Sequence, residues 1–468
     1  MAVEDWDAIV VGAGQAGPAL AVRLAGAGYR TALIERGRVG GTCVHTGCTP
    51  TKTLVAAARV AALARRAGEF GITLPGPVAV DFGAVRARVQ AIVGQSLRGL
   101  ESWLQGTQGL SVVSGHARFI APGTLQVPGR TLRAPRVFLN VGCRPTVPAW
   151  VRDAGVPFLT SDNVFGLQQL PQHLAIVGAG AIGLEFAQVF RRLGSQVTVL
   201  EQGAALLPRE DPEAAAEVGA ALAAEGVVLE LGADNLALAR APGCEALLLT
   251  FRRAGTSHSV QASHVLVATG RQPNTGELGL EQAGVALDER GFVRVDGQLR
   301  TSVPGIWALG DVNGRGAFTH TAWNDYEVVA ANLLDGQARS VDERVSRYAL
   351  YVDPPLARIG DSEQQARARG SEVLVGFLPM SSVGRARERG ETRGFMKVLV
   401  DAASMQLLGA TLVCADADEI IHSLVALMAA DVDVRRIASS VPIHPTISEL
   451  IPTMLQRLMP LQPTASPA

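Results

Sequence analysis

Two cysteines, Cys43 and Cys48, stand with four residues between them in GGTCVHTGCTPTK, residues 40 to 52, of a chain that has five cysteines in all. Such a pair can hold a soft metal, staple the chain or cycle between dithiol and disulfide. A zinc site wants about four Cys or His ligands, and this stretch offers only His45 as a third. A structural disulfide closing so short a loop would constrain little chain, and a reducing compartment would tend to open it. A redox pair needs a thiol that ionises near neutral pH, which a helix N-terminus and a nearby cation both favour. Thr49-Pro50-Thr51 reads as a helix start with proline in the first turn, and Lys52 follows directly. The thirteen residues leave all three chemistries open, and the elements around them must decide.

The chain opens with DAIVVGAGQAGPALAVRLAGAGYRTALIE. Ala8 to Val11 reads as a buried strand, Gly12, Gly14 and Gly17 form G-x-G-x-x-G, and an alanine-rich helix follows. A second strand, Thr31 to Ile34, ends at Glu35. The first glycine permits a tight turn, the second lets backbone approach a pyrophosphate, and the third lets helix and strand pack closely. The helix N-terminus adds N–H groups and positive potential, and Glu35 can accept hydrogen bonds from an adenosine ribose. The pattern recurs in HLAIVGAGAIGLEFAQVFRRLGSQVTVLE, with Gly178, Gly180 and Gly183 and the strand-ending Glu201. Third glycine and acid are 18 residues apart in each copy. Two complete dinucleotide fingerprints imply two nucleotides or one large duplication.

NVGCRPTVP (140 to 148) and VATGRQPNT (267 to 275) form another repeat, each an apolar strand running into Gly and a Pro-containing turn. They bracket the second fingerprint, so that domain reads as inserted into the first. The expected organisation is a first nucleotide domain over 1–148 and 270–347, a second over 149–269, and an α+β domain over 348–461. The first domain would end near TSVPGIWALGDV, whose strand delivers Gly310 and Asp311, and QPTASPA, 462–468, is expected to be a disordered tail. A net charge of −1 gives no reason to expect nucleic acid or an anionic membrane as partner. Glu4, Asp5 and Asp7 sit where a signal peptide would want basic residues, and Glu185 and His422 interrupt the apolar runs. A cytoplasmic, disulfide-free framework is the expectation.

Together, C-x-x-x-x-C after the first nucleotide fold, the two fingerprints, ALGDV and the late HPTISE resemble the pyridine nucleotide–disulfide oxidoreductases. That family includes dihydrolipoamide dehydrogenase, glutathione reductase and mercuric reductase. The resemblance runs from Ala8 to about Leu461 and implies an α/β protein with two Rossmann-like domains and a C-terminal α+β dimerisation domain. It implies FAD on the first fingerprint, Gly12, Gly14, Gly17 and Glu35, with Gly41, Thr42, Lys52, Ala117, Gly310 and Asp311 completing the flavin site. Gly178, Gly180, Ala181, Ile182, Gly183, Glu201 and Gly270 would hold NADH, with NADPH as the other cofactor open to it. Cys48 would be the thiol against the flavin and Cys43 the interchange thiol, with Lys52 and Glu185 an ion pair beside the ring. His444 and Glu449 would be an acid–base dyad reaching Cys43 of the partner in a homodimer.

DPPLARIG, GRARERGETRGFMKVLVDA and HPTISELIPTML resemble mercuric-reductase-like proteins and the reactive-chlorine-resistance, copper(II)-reducing branch. No cysteine follows Cys414, so the C-terminal pair that hands Hg(II) to mercuric reductase is missing. The resulting expectation is reduction of a soft metal ion, Hg(II) or Cu(II), or of a small oxidant through Cys43 and Cys48, with no resident metal. Dihydrolipoamide dehydrogenase is the alternative, and a flavin-based redox sensor is the non-enzymatic one. His45 reads as a hydrogen-bonding residue, Cys143, Cys244 and Cys414 as core or strand thiols, and Arg385, Arg387 and Arg389 as a solvated loop.

Overall fold

The computed structural model describes residues 2–462. All but the first residue of the expected tail lies outside the described residues.

Ala8–Val11 is buried along its whole length, as a strand flanked on both faces must be. It is the middle of a parallel five-stranded sheet ordered Ile306–Ala308, Val137–Leu139, Ala8–Val11, Thr31–Glu35, Leu110–Ser114. Helices Ala16–Gly26 and Thr319–Leu334 pack against each other over this sheet, through Leu20, Leu24, Val328 and Val329. The second fingerprint builds another parallel five-stranded sheet, ordered Leu159–Thr160, His264–Val267, His173–Val177, Gln196–Glu201, Val228–Leu231.

The two proline-containing exits pair with each other: Cys143–Pro145 runs antiparallel to Arg271–Pro273, with Cys143 opposite Pro273. Chain leaves the first sheet and returns to it through this two-stranded crossing, so the second Rossmann-like domain is an insertion in the first. The C-terminal region forms a six-stranded antiparallel sheet ordered Arg347–Leu350, Leu356–Gly360, Leu407–Val413, Phe395–Asp401, Val373–Pro379, Met459–Pro460. Helix Ala417–Ala429 covers one face, burying Ile421 and Leu424 among Met396, Val398 and Leu412.

Ionic contacts fix the second nucleotide domain against this C-terminal sheet. Lys397, 2% exposed, places Nζ 2.6 Å from Asp211 Oδ2 and 3.0 Å from Glu363 Oε1, and also pairs with Glu213. Burial opposes its charge, but the bonds to Asp211 and Glu213 outweigh that and hold its pKa above the ordinary lysine value. Among the described residues these three carboxylates are the group close enough to hold a metal ion, and an ammonium sits among them. Helix Ala181–Leu193 is stapled in the same way: Gln188 exchanges hydrogen bonds with the Asp353 backbone, and Arg192 reaches Asp353 Oδ2 at 2.8 Å. The neighbouring face, with Val189 and Leu193, packs on helix Cys48–Arg65. That contact aligns the thiol-bearing helix with the second fingerprint.

Candidate active site

Both glycine turns have the same construction. Gly12 adopts φ +102°, and a Cβ there would stand 2.3 Å from the Asn140 carbonyl oxygen; Gly178 adopts φ +108°, with Ala268 O at 2.5 Å. The third glycines, Gly17 and Gly183, pack so closely that a Cβ would meet the carbonyls of Gly12 and Gly178 at 2.1 and 2.2 Å. The acids match as well. Glu35 accepts from the backbone N–H of Ala13 and of Gly37, both at 2.8 Å. Glu201 accepts from Ala179 at 2.8 Å and Gly203 at 2.7 Å. A carboxylate offers about four lone-pair positions, so each acid shapes its own turn and retains acceptors for a ribose.

A cavity of about 820 Å³ runs from the first glycine turn to the thiols, lined by Gly12, Gly14, Glu35, Cys43, Cys48 and Asp311 among others. Gly41, Thr42, Lys52, Ala117, Gly310, Ala181, Ile182 and Glu185 also line it, whereas Gly17 is a packing position behind it. Gly178, Gly180, Gly183, Glu201 and Gly270 line no part of this cavity; they form the adjoining turn, and a Cβ on Gly180 would meet nothing within 4 Å. The residues present fit FAD on geometric grounds. A Cβ at Gly41 would strike Gly14 Cα at 2.7 Å, closing the space beside the first turn. At the other end burial raises the Asp311 carboxyl above its ordinary pKa, against the pull of the Arg271 guanidinium 3.8 Å away. A buried acid on a cavity wall suits a hydroxyl-bearing ligand.

Cys43 lies in the short helix Gly41–His45, and Cys48 is the first residue of helix Cys48–Arg65, one position earlier than the Thr49 start expected from sequence. Gly47 serves as N-cap, so the sulfur-bearing residue itself sits in the first turn, where the helix dipole favours an anion. Both thiols are free in this structure. The Cys43 thiol donates to Cys48, and with the Thr319 hydroxyl and the Lys52 charge this lowers the Cys48 pKa to about 6, against the cost of burial. Cys43 is pushed the other way, first by that same hydrogen bond and then by burial. In the dithiol form the negative charge rests on Cys48.

Lys52 Nζ lies 2.6 Å from Glu185 Oε2, joining the two nucleotide domains beside the thiols. The other Glu185 oxygen accepts from the Tyr351 N–H at 2.9 Å, and Lys52 stands 4.5 Å from the Tyr351 ring centroid. His444 Nδ1 and Glu449 Oε2 are 2.7 Å apart. Glu449 is buried, but the His444 side chain is 79% exposed and lines no part of its own chain's cavity. Val441 and Ile443, just before it, are 94% and 79% exposed.

His45 hydrogen-bonds the Val39 carbonyl oxygen at 2.8 Å. Cys143 is buried in its strand, with its pKa raised to about 12 by desolvation, and Cys414 is fully buried in the C-terminal core. Cys244 departs from expectation: it is exposed in the turn between strands Asp234–Arg240 and Leu247–Arg253, where a hairpin loop offers nothing to bury it. The arginine cluster also differs. Gly384–Glu388 is a short helix, with Arg385 paired to Glu388 and Arg389 to Glu391 and Asp416. Sequence reading missed Tyr351, Asn140, Arg271 and Thr319. Asn140 and Arg271 do sit on the repeated strand exits, which could have flagged them.

Two family descriptions match the chain: "Pyridine nucleotide-disulphide oxidoreductase" over residues 6–325, and its dimerisation domain over residues 346–455. The chain belongs to the pyridine nucleotide-disulphide oxidoreductase family. It is therefore an oxidoreductase of an FAD-dependent family that uses NAD(P)H. "Probable pyridine nucleotide-disulfide oxidoreductase RclA" of Escherichia coli K12 is 35% identical over 458 residues, 95% of this chain and 97% of that protein. Mercuric reductase of Staphylococcus aureus is 32% identical over 90% of this chain and 76% of its own length. Dihydrolipoyl dehydrogenase of Chlamydia muridarum is 32% identical over 96% and 95%. The solved "Cu(II) complex of HOCl-induced flavoprotein disulfide reductase RclA from Escherichia coli" superposes with a TM-score of 0.85 at 33% identity, covering 97% of this chain and 99% of that one. The dimerisation domain makes the family member a homodimer. Among the described residues no helix is long and apolar enough to cross a membrane.

Proposed function

We propose that the chain uses NADH to reduce a soft metal ion, Cu(II) or Hg(II), or a small oxidant through Cys43 and Cys48. The observation that carries this reading is the placement of Cys43 and Cys48 together on the wall of the dinucleotide-sized cavity, with the Lys52–Glu185 ion pair beside them. When bound, FAD supplies two-electron transfer between nicotinamide and disulfide. Gly12 and Gly14 would cradle its pyrophosphate, Glu35 its adenosine ribose and Asp311 its ribityl chain, with Gly41, Thr42, Ala117 and Gly310 shaping the walls. Gly178, Gly180, Ala181 and Gly183 would take the nicotinamide cofactor's pyrophosphate and Glu201 its ribose, with Ile182 and Gly270 beside it.

Two electrons break the Cys43–Cys48 bond and leave a thiolate at Cys48; one proton goes to Cys43. Lys52, its orientation set by Glu185, stabilises that charge. His444, with Nδ1 fixed by Glu449, takes the proton from the partner subunit's Cys43, which exposes the interchange thiolate to the acceptor. Two Cu(II) ions then take one electron each, or one Hg(II) takes two, and the disulfide closes again. Copper is favoured by the Cu(II) complex of the 33% identical flavoprotein. We further propose domain boundaries at 148/149 and 269/270, next to the paired exits, and at 347/348, one residue into the first strand of the C-terminal sheet. Dihydrolipoamide oxidation is the second reading, supported by relatives of that name over nearly the full chain.

Anaerobic NADH oxidation by the FAD-loaded protein, measured with Cu(II), Hg(II), lipoamide, glutathione disulfide and quinones, tests the assignment. Turnover fastest with a metal ion and abolished in Cys43→Ser supports it. Fastest turnover with lipoamide transfers the assignment to the second reading.

A further inference from the structure

Three large apolar residues that line the cavity are nevertheless exposed: Ile182, Phe318 and Trp323. Ile182 belongs to the second fingerprint, and Phe318 stacks on Tyr348, which is hydrogen-bonded to Glu210 of the second nucleotide domain. Trp323 is placed differently. It follows Thr319 by four residues on helix Thr319–Leu334 and so shares its face, and Thr319 Oγ1 is 3.1 Å from Cys48 Sγ. Trp323 therefore stands on the thiol side of the cavity. Its ring is 43% exposed yet fixed: Nε1–H donates to Glu327 Oε1 at 3.2 Å, and Tyr326 meets it edge-on at 5.2 Å between centroids. We propose that Trp323 and Glu327 are the specificity-determining pair of the acceptor side. The indole narrows the way to the thiols, and the carboxylate turns anions away, so the acceptor is small and either cationic or uncharged. This deepens the reading of a soft metal ion reduced through Cys43 and Cys48, and rests on it.

The charge balance on that side is negative. Glu327 accepts from two neutral donors, the Trp323 indole and Asn324 Nδ2 at 3.0 Å, and among the described residues no cation pairs with it. Arg344, which bonds the other end of the Asn324 amide, is held by Asp325. Lys52 is already paired with Glu185 at 2.6 Å. His320 gives its Nε2 to the Arg347 carbonyl, and burial keeps its pKa below the ordinary histidine value, so it adds no full cation at neutral pH. Arg347 itself lines no part of the cavity. Asp418 and Glu419, in the first turn of helix Ala417–Ala429, bear on Tyr351 in the same wall, and Arg59, which faces Asp418, is shared with Glu391. The arginines that do line the cavity stand elsewhere, Arg36 next to Glu35 and Arg271 at 3.8 Å from Asp311. A low-dielectric cleft lined by one sign of charge draws in the opposite sign and repels its own.

The test uses two disulfides of nearly equal size and opposite charge, cystamine and dithiodipropionate. The FAD-loaded dimer is reduced anaerobically with one equivalent of NADH per subunit and mixed with either probe, and the second-order rate constant of its reoxidation is measured. In each reaction the Cys43 thiolate attacks the probe, one thiol leaves, and Cys48 displaces the second as the protein disulfide closes. The wild type should react about tenfold faster with cystamine, and Glu327→Gln, which keeps an acceptor for the indole, should reduce that ratio about fivefold. Glu327→Lys should reverse the ratio, and raised ionic strength should compress the wild-type value toward that of Glu327→Gln, a response that a merely structural role would not give. Trp323→Ala should admit the bulkier glutathione disulfide about tenfold faster, whereas Trp323→Phe, which keeps a ring in the passage, should stay near the wild type. A ratio unmoved by Glu327→Gln, or no gain in Trp323→Ala, overturns the proposal. Reoxidation that is equally fast in Cys43→Ser, or that leaves Cys43 and Cys48 open to alkylation, overturns the reading beneath it instead.

Discussion

Lys52 and Glu185 make opposite predictions for one measurable quantity. Lys52 follows Cys48 by four residues on one helix, which places their side chains about 6 Å apart. At an effective dielectric constant of roughly 20, two unit charges at that separation interact by about 3 kcal/mol. The Lys52 side chain is 35% exposed and paired with Glu185, so solvent and the carboxylate leave about half, near 1.4 kcal/mol, or roughly one pKa unit. Lys52→Met should therefore move Cys48 from about 6 to about 7. At pH 7 the thiolate fraction then falls from about nine-tenths to about one half. Glu185→Gln removes the competing carboxylate, frees the whole lysine charge for the sulfur and should move Cys48 below about 6. The assay is pH-dependent alkylation of the reduced protein with the Cys48 peptide quantified. A folded-state pKa depressed below the ordinary 9.0 contributes stability that is full above about pH 9 and lost as pH falls through about 6. The melting difference between wild type and Cys48→Ser should shrink over that window. Shifts of the same sign in Lys52→Met and Glu185→Gln would refute the electrostatic account.

Lys397→Met leaves three carboxylates facing one another in the junction between the second nucleotide domain and the C-terminal sheet. It should cost about 3 kcal/mol, read as a lower urea midpoint, and an unchanged midpoint would contradict it. Glu201 ends its strand with Gln202 and Gly203 following and no arginine beside it. Because a carboxylate repels a 2′-phosphate, kcat/KM should favour NADH, and Glu201→Ala should narrow the preference; an NADPH preference untouched by Glu201→Ala would contradict the role. Mixing Cys43→Ser with His444→Ala subunits should give hybrid dimers with one intact and one doubly defective site. Partial recovery of activity is expected, and none, with hybrids confirmed by mass, would mean that His444 does not serve its partner.

Local features of the site were legible because their chemistry is carried by contiguous chain. Strand, glycine turn, helix and acid lie in one stretch in each fingerprint, and backbone sterics at Gly12 and Gly17 admit no other residue. The cysteine pair and the helix after it were legible for the same reason, although the proline signal located the first turn and not its first residue. Contacts between distant segments left no such trace. Thr319 reaches Cys48 only after the two separated parts of the first domain have come together, and Tyr351 lies against Lys52 only after the C-terminal domain has packed on it. Lys397 sits in the strand Phe395–Asp401, where nothing in sequence says that its partners come from residues 211, 213 and 363. Cys244 was misplaced because free cysteines are usually buried, a tendency that a hairpin turn overrides.

The central claim is that nicotinamide-derived electrons open a Cys43–Cys48 disulfide. It is tested most directly by differential alkylation of the FAD-loaded, air-oxidised protein before and after one equivalent of NADH per subunit under anaerobic conditions. The account predicts two newly alkylated cysteines, Cys43 and Cys48, with Cys143, Cys244 and Cys414 labelled equally in both samples. No new thiols, or new thiols at any other pair, would contradict it.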